Sequence, residues 1–204
     1  MPYTSDVRVG APDQSTTGAI KYAPLGTTLP SLSSITPSAV TLDPAFTGNE
    51  YVSEDGLTLS PNISTTDIKD WSGSTVRKLL DSFDGTLSWT MISTNASAMN
   101  VAFGAEHVTT SAATATHGNQ IKVELGAHLP EAQSWVFLMK DGDARVVILV
   151  PNGQVTQVAD VTFASNQAIG WNVTLACYPD SDGECIYILT DDGKVTSSST
   201  TTTG

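Results

Sequence analysis

The feature of this sequence that most constrains its fold is a long alternation of apolar and polar residues between Tyr51 and Met91. Successive side chains of a β-strand point to opposite faces, so this spacing predicts strands with one apolar face. The letters SGS at 72–74 are typical of a tight turn. The stretch therefore predicts two antiparallel strands joined as one long, bent hairpin. The apolar face is clearest in the second strand, which carries Phe83, Leu87, Trp89 and Met91.

Two residues are expected to interrupt this hairpin, and its tip has little to bury. Pro61 lacks a backbone N–H, so we expect the first strand to break there. Gly85 is expected to form a bulge in the second strand. The tip places Trp71 beside two acids. Because an exposed strand edge is a template for another chain, we expect another copy of the protein to cover this hairpin.

One helix is expected directly after the hairpin. Thr94 or Asn95 can cap its first turn, the letters ASAMNVAF fill it, and Gly104 ends it. Met99 and Phe103 are four residues apart, so they lie on one face of this helix and can pack against a sheet.

The remainder of the sequence up to residue 192 indicates strands and turns. The letters QIKVEL predict a strand, and SWVFLMKDGDARVVILV predicts a hairpin around Asp141 and Gly142. Asn152 and Gly153 predict a further turn. Three more strands are expected in QVTQVADVTF, GWNVTLACY and ECIYILTDDG. Residues 146–150 are all apolar, so we expect this strand to be covered on both faces.

The two ends of the sequence differ from this β-rich middle. Residues 1–50 are rich in Pro, Thr, Ser and Gly, and only 19–23 alternate well enough for a short strand. Such a segment is either disordered or an arm that lies on something else. We expect a single domain over 1–204, with an extended N-terminal arm over 1–50, a β-rich core over 51–192 with a helix near 94–104, and a C-terminal tail over 193–204. The expected fold is mainly β, a β-sandwich or barrel of two packed antiparallel sheets with one flanking α-helix.

The charge and the termini bear on partners and location. The sequence has 9 Lys and Arg against 21 Asp and Glu, a formal net charge of −12. So few cations argue against sequence-specific binding of DNA. No apolar run is long enough to span a bilayer, and the first residues lack a secretory pattern, so we expect the protein in a cytoplasm and off membranes. Cys177 and Cys185 flank a predicted loop; a bridge between them is possible in principle, but a reducing cytoplasm favours free thiols.

Motifs that would indicate catalysis or metal binding are weak. His107, His117 and His128 lack metal-ligand spacing to each other and to the cysteines. The acidic groups DGD at 141–143 and DSDGE at 180–184 fail the calcium-loop pattern and are better interpreted as turns. No nucleophile elbow or phosphate loop is present. We therefore expect no enzymatic activity, no metal and no cofactor.

Several long phrases of the sequence resemble a known family. TGAIKYAPLGTTLP, LDPAFTGNEYVSEDGLTLS and KDWSGSTVRKLLDSFDGTLSWTMIST are similar to the major tail proteins of long-tailed, siphovirus-type bacteriophages, particularly those of actinobacteria. ILVPNGQVTQVADVTF and GWNVTLACYPDSDGECIYILTDDG resemble the strand–turn–strand ending of the same family. The resemblance covers nearly the whole sequence.

This resemblance implies a structural protein of the virion. Members of the family form hexameric rings that stack into a tail tube around a tape-measure protein, and the tube later conducts DNA. The implied partners are other copies of the chain, the tape-measure, tail terminator and baseplate or initiator proteins, and DNA that passes without sequence-specific binding. The implied location is the virion tail, with assembly in the host cytoplasm.

The resemblance also suggests which residues contact other subunits. A hairpin that reaches the next ring would bury apolar residues at its tip, and the N-terminal arm would do likewise. These six expected contact residues are Ile20, Tyr22, Leu25, Ile68, Trp71 and Val76. In the alternative, Trp71 packs on its own sheet, and Ile20 and Tyr22 add an edge strand to their own domain. The alternative function is a β-sandwich binding or adhesion module on a virion or cell surface.

Overall fold

The structure is a computed structural model that describes residues 7–13, 18–48 and 50–196. Its only α-helix in these ranges is α1, Ala96–Phe103, and two single 3₁₀ turns lie at Leu32–Ser34 and Ala105–His107. The strands are β1 (Ile20–Pro24), β2 (Val52–Lys69), β3 (Thr75–Met91), β4 (Val108–Ser111), β5 (Gln120–Val123), β6 (Gln133–Asp141), β7 (Ala144–Val158), β8 (Trp171–Tyr178) and β9 (Tyr187–Asp191).

Seven of these strands form one antiparallel sheet. Its order is β1-β6-β7-β8-β3-β2, and β9 pairs with the first part of β7. Strands β4 and β5 form a separate two-stranded sheet. The long strand β7 is central, because its first half pairs with β9 and its second half with β8.

The large sheet curls until its two halves face each other. Trp89 on β3 and Phe137 on β6 are three strands apart in the order, which is roughly 14 Å in a flat sheet. Their ring centroids are nevertheless 5.4 Å apart, and those of Trp89 and Trp135 are 5.7 Å apart. The halves therefore pack across a common core, which also contains the apolar side of α1. This confirms the expected fold of mainly antiparallel β-structure with one flanking α-helix.

A second apolar cluster lies on the opposite face of β6 and β7. Val136 and Val147 are buried there against Ile35, Val40 and Phe46. The described part of the segment predicted to be an N-terminal arm thus packs, over much of its length, on its own sheet. The prediction that 146–150 is covered on both faces is confirmed, since residues 147–150 alternate between the two clusters.

The predicted helix and its caps are confirmed. Asn95 is the N-cap, and its side-chain oxygen accepts a hydrogen bond from the backbone N–H of Ala98 at 2.8 Å. Gly104 ends the helix with a positive φ of 91°. Met99 is buried in the core, and Phe103 packs at its margin.

The predicted turn at Asn152 and Gly153 is wrong. Strand β7 continues through both residues to Val158. Gly153 is there because of packing: a Cβ at this position would lie 2.8 Å from Cδ1 of Trp135 and 3.1 Å from Cδ2 of Leu175. The indole N–H of Trp135 donates to the Gly153 carbonyl at 3.1 Å. The glycine lets the strand pass directly under a large ring.

The expected interruptions of the hairpin also differ from the structure. Strand β2 continues through Pro61, which pairs with Gly85 in regular register. Strand β2 ends the sheet order, and proline is tolerated on an edge strand. The bulge lies at Asp81, since Ser64 pairs with Ser82 whereas the next residue of β2 pairs with Leu80. At Gly85 the missing side chain instead makes room for Phe83 and for Ile186.

Candidate assembly surface

The β2–β3 hairpin extends well beyond the core. Leu87 is fully buried, whereas every residue from 61 to 84 is exposed. The ladder between β2 and β3 nevertheless continues to the pair Lys69–Thr75. About eight residue pairs at ~3.3 Å each place the tip roughly 25 Å beyond Gly85. The chain therefore holds an ordered β-ribbon that its own body does not cover.

A network of hydrogen bonds shapes the tip of the hairpin. The carboxylate of Asp70 accepts from the backbone N–H groups of Ser72, at 3.0 Å, and Ser74, at 2.9 Å. The hydroxyl of Ser72 donates to the same oxygen at 2.6 Å, and these bonds lower the pKa of Asp70. Gly73 takes the positive φ of 87° that the turn requires. Trp71 is held on this turn with its side chain fully exposed.

Apolar side chains continue along the hairpin outside the core. Ile63 pairs with Phe83, and Leu80 lies on the same face one step further out. This face is the extension of the core face of β3 that carries Leu87. Ile63, Leu80 and Phe83 are not among the contact residues expected from the sequence, although their alternation continues the apolar pattern of the buried part of β3.

Cations are concentrated near the tip of the hairpin. Three of the nine Lys and Arg residues lie within 69–78, at Lys69, Arg77 and Lys78. Lys78 pairs with Asp67 at 2.6 Å across the ladder. Among the described residues, Lys69 and Arg77 have no ion-pair partner. In a chain with a net charge of −12, the tip therefore presents two unpaired cations around an exposed indole.

The predicted contact residues fall into two groups. Ile68, Trp71 and Val76 are exposed together on the hairpin. Ile20 and Tyr22 belong to β1, which adds an edge strand to its own sheet beside β6.

These two β1 residues face the interior of their own chain. Ile20 is 5% exposed. The Tyr22 hydroxyl lies 3.2 Å from Oγ of Ser97, and burial raises its pKa. Leu25, just after β1, remains 55% exposed. Contact of these six residues with another subunit stays a prediction.

The side chains considered for metal binding or catalysis take part in ring stacking and in hydrogen bonds within turns. His107 and His128 stack with ring centroids 3.4 Å apart. Asp180 accepts hydrogen bonds within its turn from the N–H groups of Asp182 and Glu184. The described residues contain no cluster of three or more side chains suited to a metal ion, and no helix long and apolar enough to cross a membrane. Both cysteines are free.

Comparison with known proteins places the chain in a family. No curated protein matches it. One similar solved structure is the cryo-EM structure of the anti-feeding prophage cap (AFP tube terminating cap), with a TM-score of 0.45 and 14% sequence identity, over 94% of this chain and 100% of that one. The profile of the family described as "Phage tail tube protein" matches residues 10–201. The chain belongs to the phage tail tube protein family, which makes it a structural component of a phage tail.

Proposed function

We propose that this chain is the subunit of a tail tube and polymerises by contacts between identical copies. Subunits form rings, hexameric as the resemblance to long-tailed actinobacterial phages implies, and the rings stack. The stacked rings enclose a channel that holds a tape-measure protein and later conducts DNA. Assembly takes place in the host cytoplasm, with a terminator and baseplate or initiator proteins at the two ends of the tube. The role is structural and involves no catalysis.

The observation that carries this proposal is the exposed hairpin. Residues 61–84 form a continuous two-stranded ladder, and Asp70 organises the tip, yet Trp71, Leu80 and Ile63 are largely exposed to solvent. Exposed edges and apolar stripes of this kind mark interaction sites. Contact with another subunit would bury them, and a tryptophan anchor commonly dominates such an interface.

The charge of the chain fits the same role. A net charge of −12 leaves few cations with which to bind phosphates, so DNA would move past acidic walls without adhering. The alternative of a β-sandwich binding or adhesion module fits the strands, but it gives no reason for a long hairpin with an organised tip and an exposed tryptophan.

Electron microscopy of the concentrated protein tests the proposal. Rings or tubes with a central channel are expected, whereas dispersed small particles at every concentration contradict it. Trp71→Ala is expected to leave a folded subunit that polymerises poorly. Tyr51→Ala is the matched control, because Tyr51 is 76% exposed and lies at the base of the hairpin, far from its tip. If Trp71→Ala polymerises as readily as this control, the tip is not an anchor.

A further inference from the structure

A second apolar feature without a partner lies beside helix α1. A cavity of about 200 Å³ opens between the end of α1, residues 125–130 and the end of β7. We call it the α1 groove. Leu125 is 74% exposed and Leu129 is 53% exposed at its edge. Its apolar lining comes mainly from Phe103, Leu125, Leu129, Pro130, Val155 and Val158.

The α1 groove and the hairpin tip lie at opposite ends of the large sheet. Val158 at the groove pairs with Val173 on β8, which pairs with Trp89 near the end of β3. The tip precedes Thr75, at the start of β3. The 17 residues of β3 span roughly 50 Å at ~3.3 Å per residue. The tip of a subunit therefore cannot reach its own groove, but it can reach the groove of a copy placed end to end with it.

Shape and chemistry of the two surfaces match. Trp71 is a fully exposed apolar ring on an organised turn, and the α1 groove is a concave surface with apolar side chains that opens to solvent. A surface and its complement at opposite ends of one subunit make a heterologous contact, which repeats along a stack.

Charges on the two surfaces match as well. Lys69 and Arg77 flank the tip without ion-pair partners among the described residues, whereas the carboxylate of Asp70 is engaged by hydrogen bonds within its own turn. Glu131 directly follows Pro130 of the groove lining, and Asp160 lies two residues after Val158. Both acids are exposed and also lack ion-pair partners in the described part of the chain.

We propose that the α1 groove receives the hairpin tip of a second copy of this chain. Trp71 inserts between the helix and residues 125–130, and Lys69 and Arg77 lie against the acidic rim at Glu131 and Asp160. This inference rests on the proposed function and adds to it the receiving surface.

Photo-crosslinking in assembled tubes tests this contact. Benzoylphenylalanine is placed at position 71 in one variant and at position 129 in another, and crosslinked peptides are identified by mass spectrometry. The probe at 71 is expected to crosslink to 124–131 or 155–160 of another copy, and the probe at 129 to 69–78. Crosslinks to other segments, including 1–6 or 197–204, or no crosslinks, would overturn the inference.

A charge exchange tests the same contact without altering the indole. Arg77→Glu and Glu131→Arg are each expected to raise the concentration needed for polymerisation by about five-fold, and the double variant to restore it to near the wild-type value. Lys194→Glu is the control, since Lys194 is exposed and distant in sequence from both surfaces. Additive losses in the double variant, or no effect of either single change, would contradict the contact. If tubes form but these results fail, only this inference fails; if the wild-type chain forms no tubes, the proposed function fails.

Discussion

The guanidinium of Arg145 donates to the carboxylate of Asp13, and both side chains are completely buried although 132 residues separate them. Nη2 of Arg145 also donates to the carbonyl of Pro37 at 3.2 Å. The backbone N–H of Asp13 donates to the carbonyl of Leu138 at 3.0 Å. This pair therefore joins the segment before β1 and the 31–46 region to the β6–β7 hairpin.

Removing one partner of this pair is expected to destabilise the fold strongly. Asp13→Ala leaves a buried guanidinium without its counter-charge, which costs about 3–5 kcal/mol of the free energy of unfolding. Urea unfolding of the unassembled chain measures the loss. Asp55→Ala, at an exposed carboxylate, is the control and is expected to stay within about 0.5 kcal/mol of wild type. Equal losses in the two variants would contradict the structural role of the pair.

Substitution of Gly153 by alanine is expected to destabilise the fold. A Cβ there would approach Trp135, Val150 and Leu175 within 2.8–3.1 Å. Overpacking of this kind costs about 1–3 kcal/mol, so Gly153→Ala should lower the melting temperature. Gly118→Ala is the matched control, because nothing lies within 4 Å of a Cβ at Gly118. If the two variants melt alike, the close approach under Trp135 does not constrain the fold.

The two cysteines are expected to differ in their reaction with alkylating reagents. Burial raises the pKa of the Cys177 thiol to about 12, so only about one molecule in ten thousand carries the thiolate at pH 8. Burial also raises the pKa of Cys185, but this thiol is partly exposed. Iodoacetamide should label Cys185 first in the folded chain, as peptide mass spectrometry would show. Labelling of Cys177 at the same rate would argue against its burial.

The Tyr187 hydroxyl is expected to ionise at a higher pH than the hydroxyl of an unperturbed tyrosine. Its hydroxyl donates to Asp180 at 2.8 Å, and this bond with the nearby carboxylates raises its pKa to about 12. Because the folded pKa lies above the unfolded value of about 10, its contribution to stability is complete below pH 10 and is lost as the pH rises through about 12.

A spectroscopic titration checks this shift. Absorbance at 295 nm follows phenolate formation, and comparison with Tyr187→Phe assigns the Tyr187 contribution. Asp180→Asn removes the charge but keeps an acceptor, so it should move the pKa of Tyr187 towards 10. Asp55→Asn should leave it unchanged. A titration of Tyr187 near pH 10 in the wild-type chain would show that the hydrogen bond to Asp180 does not raise the pKa of Tyr187.

The sequence predicted the elements whose signals are local. The alternation ending at Met91 and the spacing of Asn95 and Gly104 define the hairpin and the helix, because side-chain direction and capping depend on neighbours along the chain. The turn predicted at Gly153 was wrong for the opposite reason. A glycine is needed at this position because Trp135, on another strand, leaves no room for a side chain.

The candidate surface was predictable only in part. Trp71, Ile68 and Val76 could be placed on the hairpin from the sequence, but only the family resemblance suggested them as contacts with another subunit. Ile20 could not be distinguished as an interior residue, since an edge strand on β6 and an arm on a neighbour have the same local pattern. The α1 groove was missed altogether, because its lining comes from three separate stretches of the chain.

The sequence by itself determined a mainly β chain with one capped helix and a hairpin too long to be buried by its own body. Those properties follow from residue periodicity and turn chemistry, which act over a few residues. Only the tertiary structure decided that the large sheet curls so that Trp89 meets Phe137, that Asp13 is buried against Arg145, and that the groove and the tip lie at opposite ends. These relationships depend on strand order and register between distant segments, which no local pattern encodes.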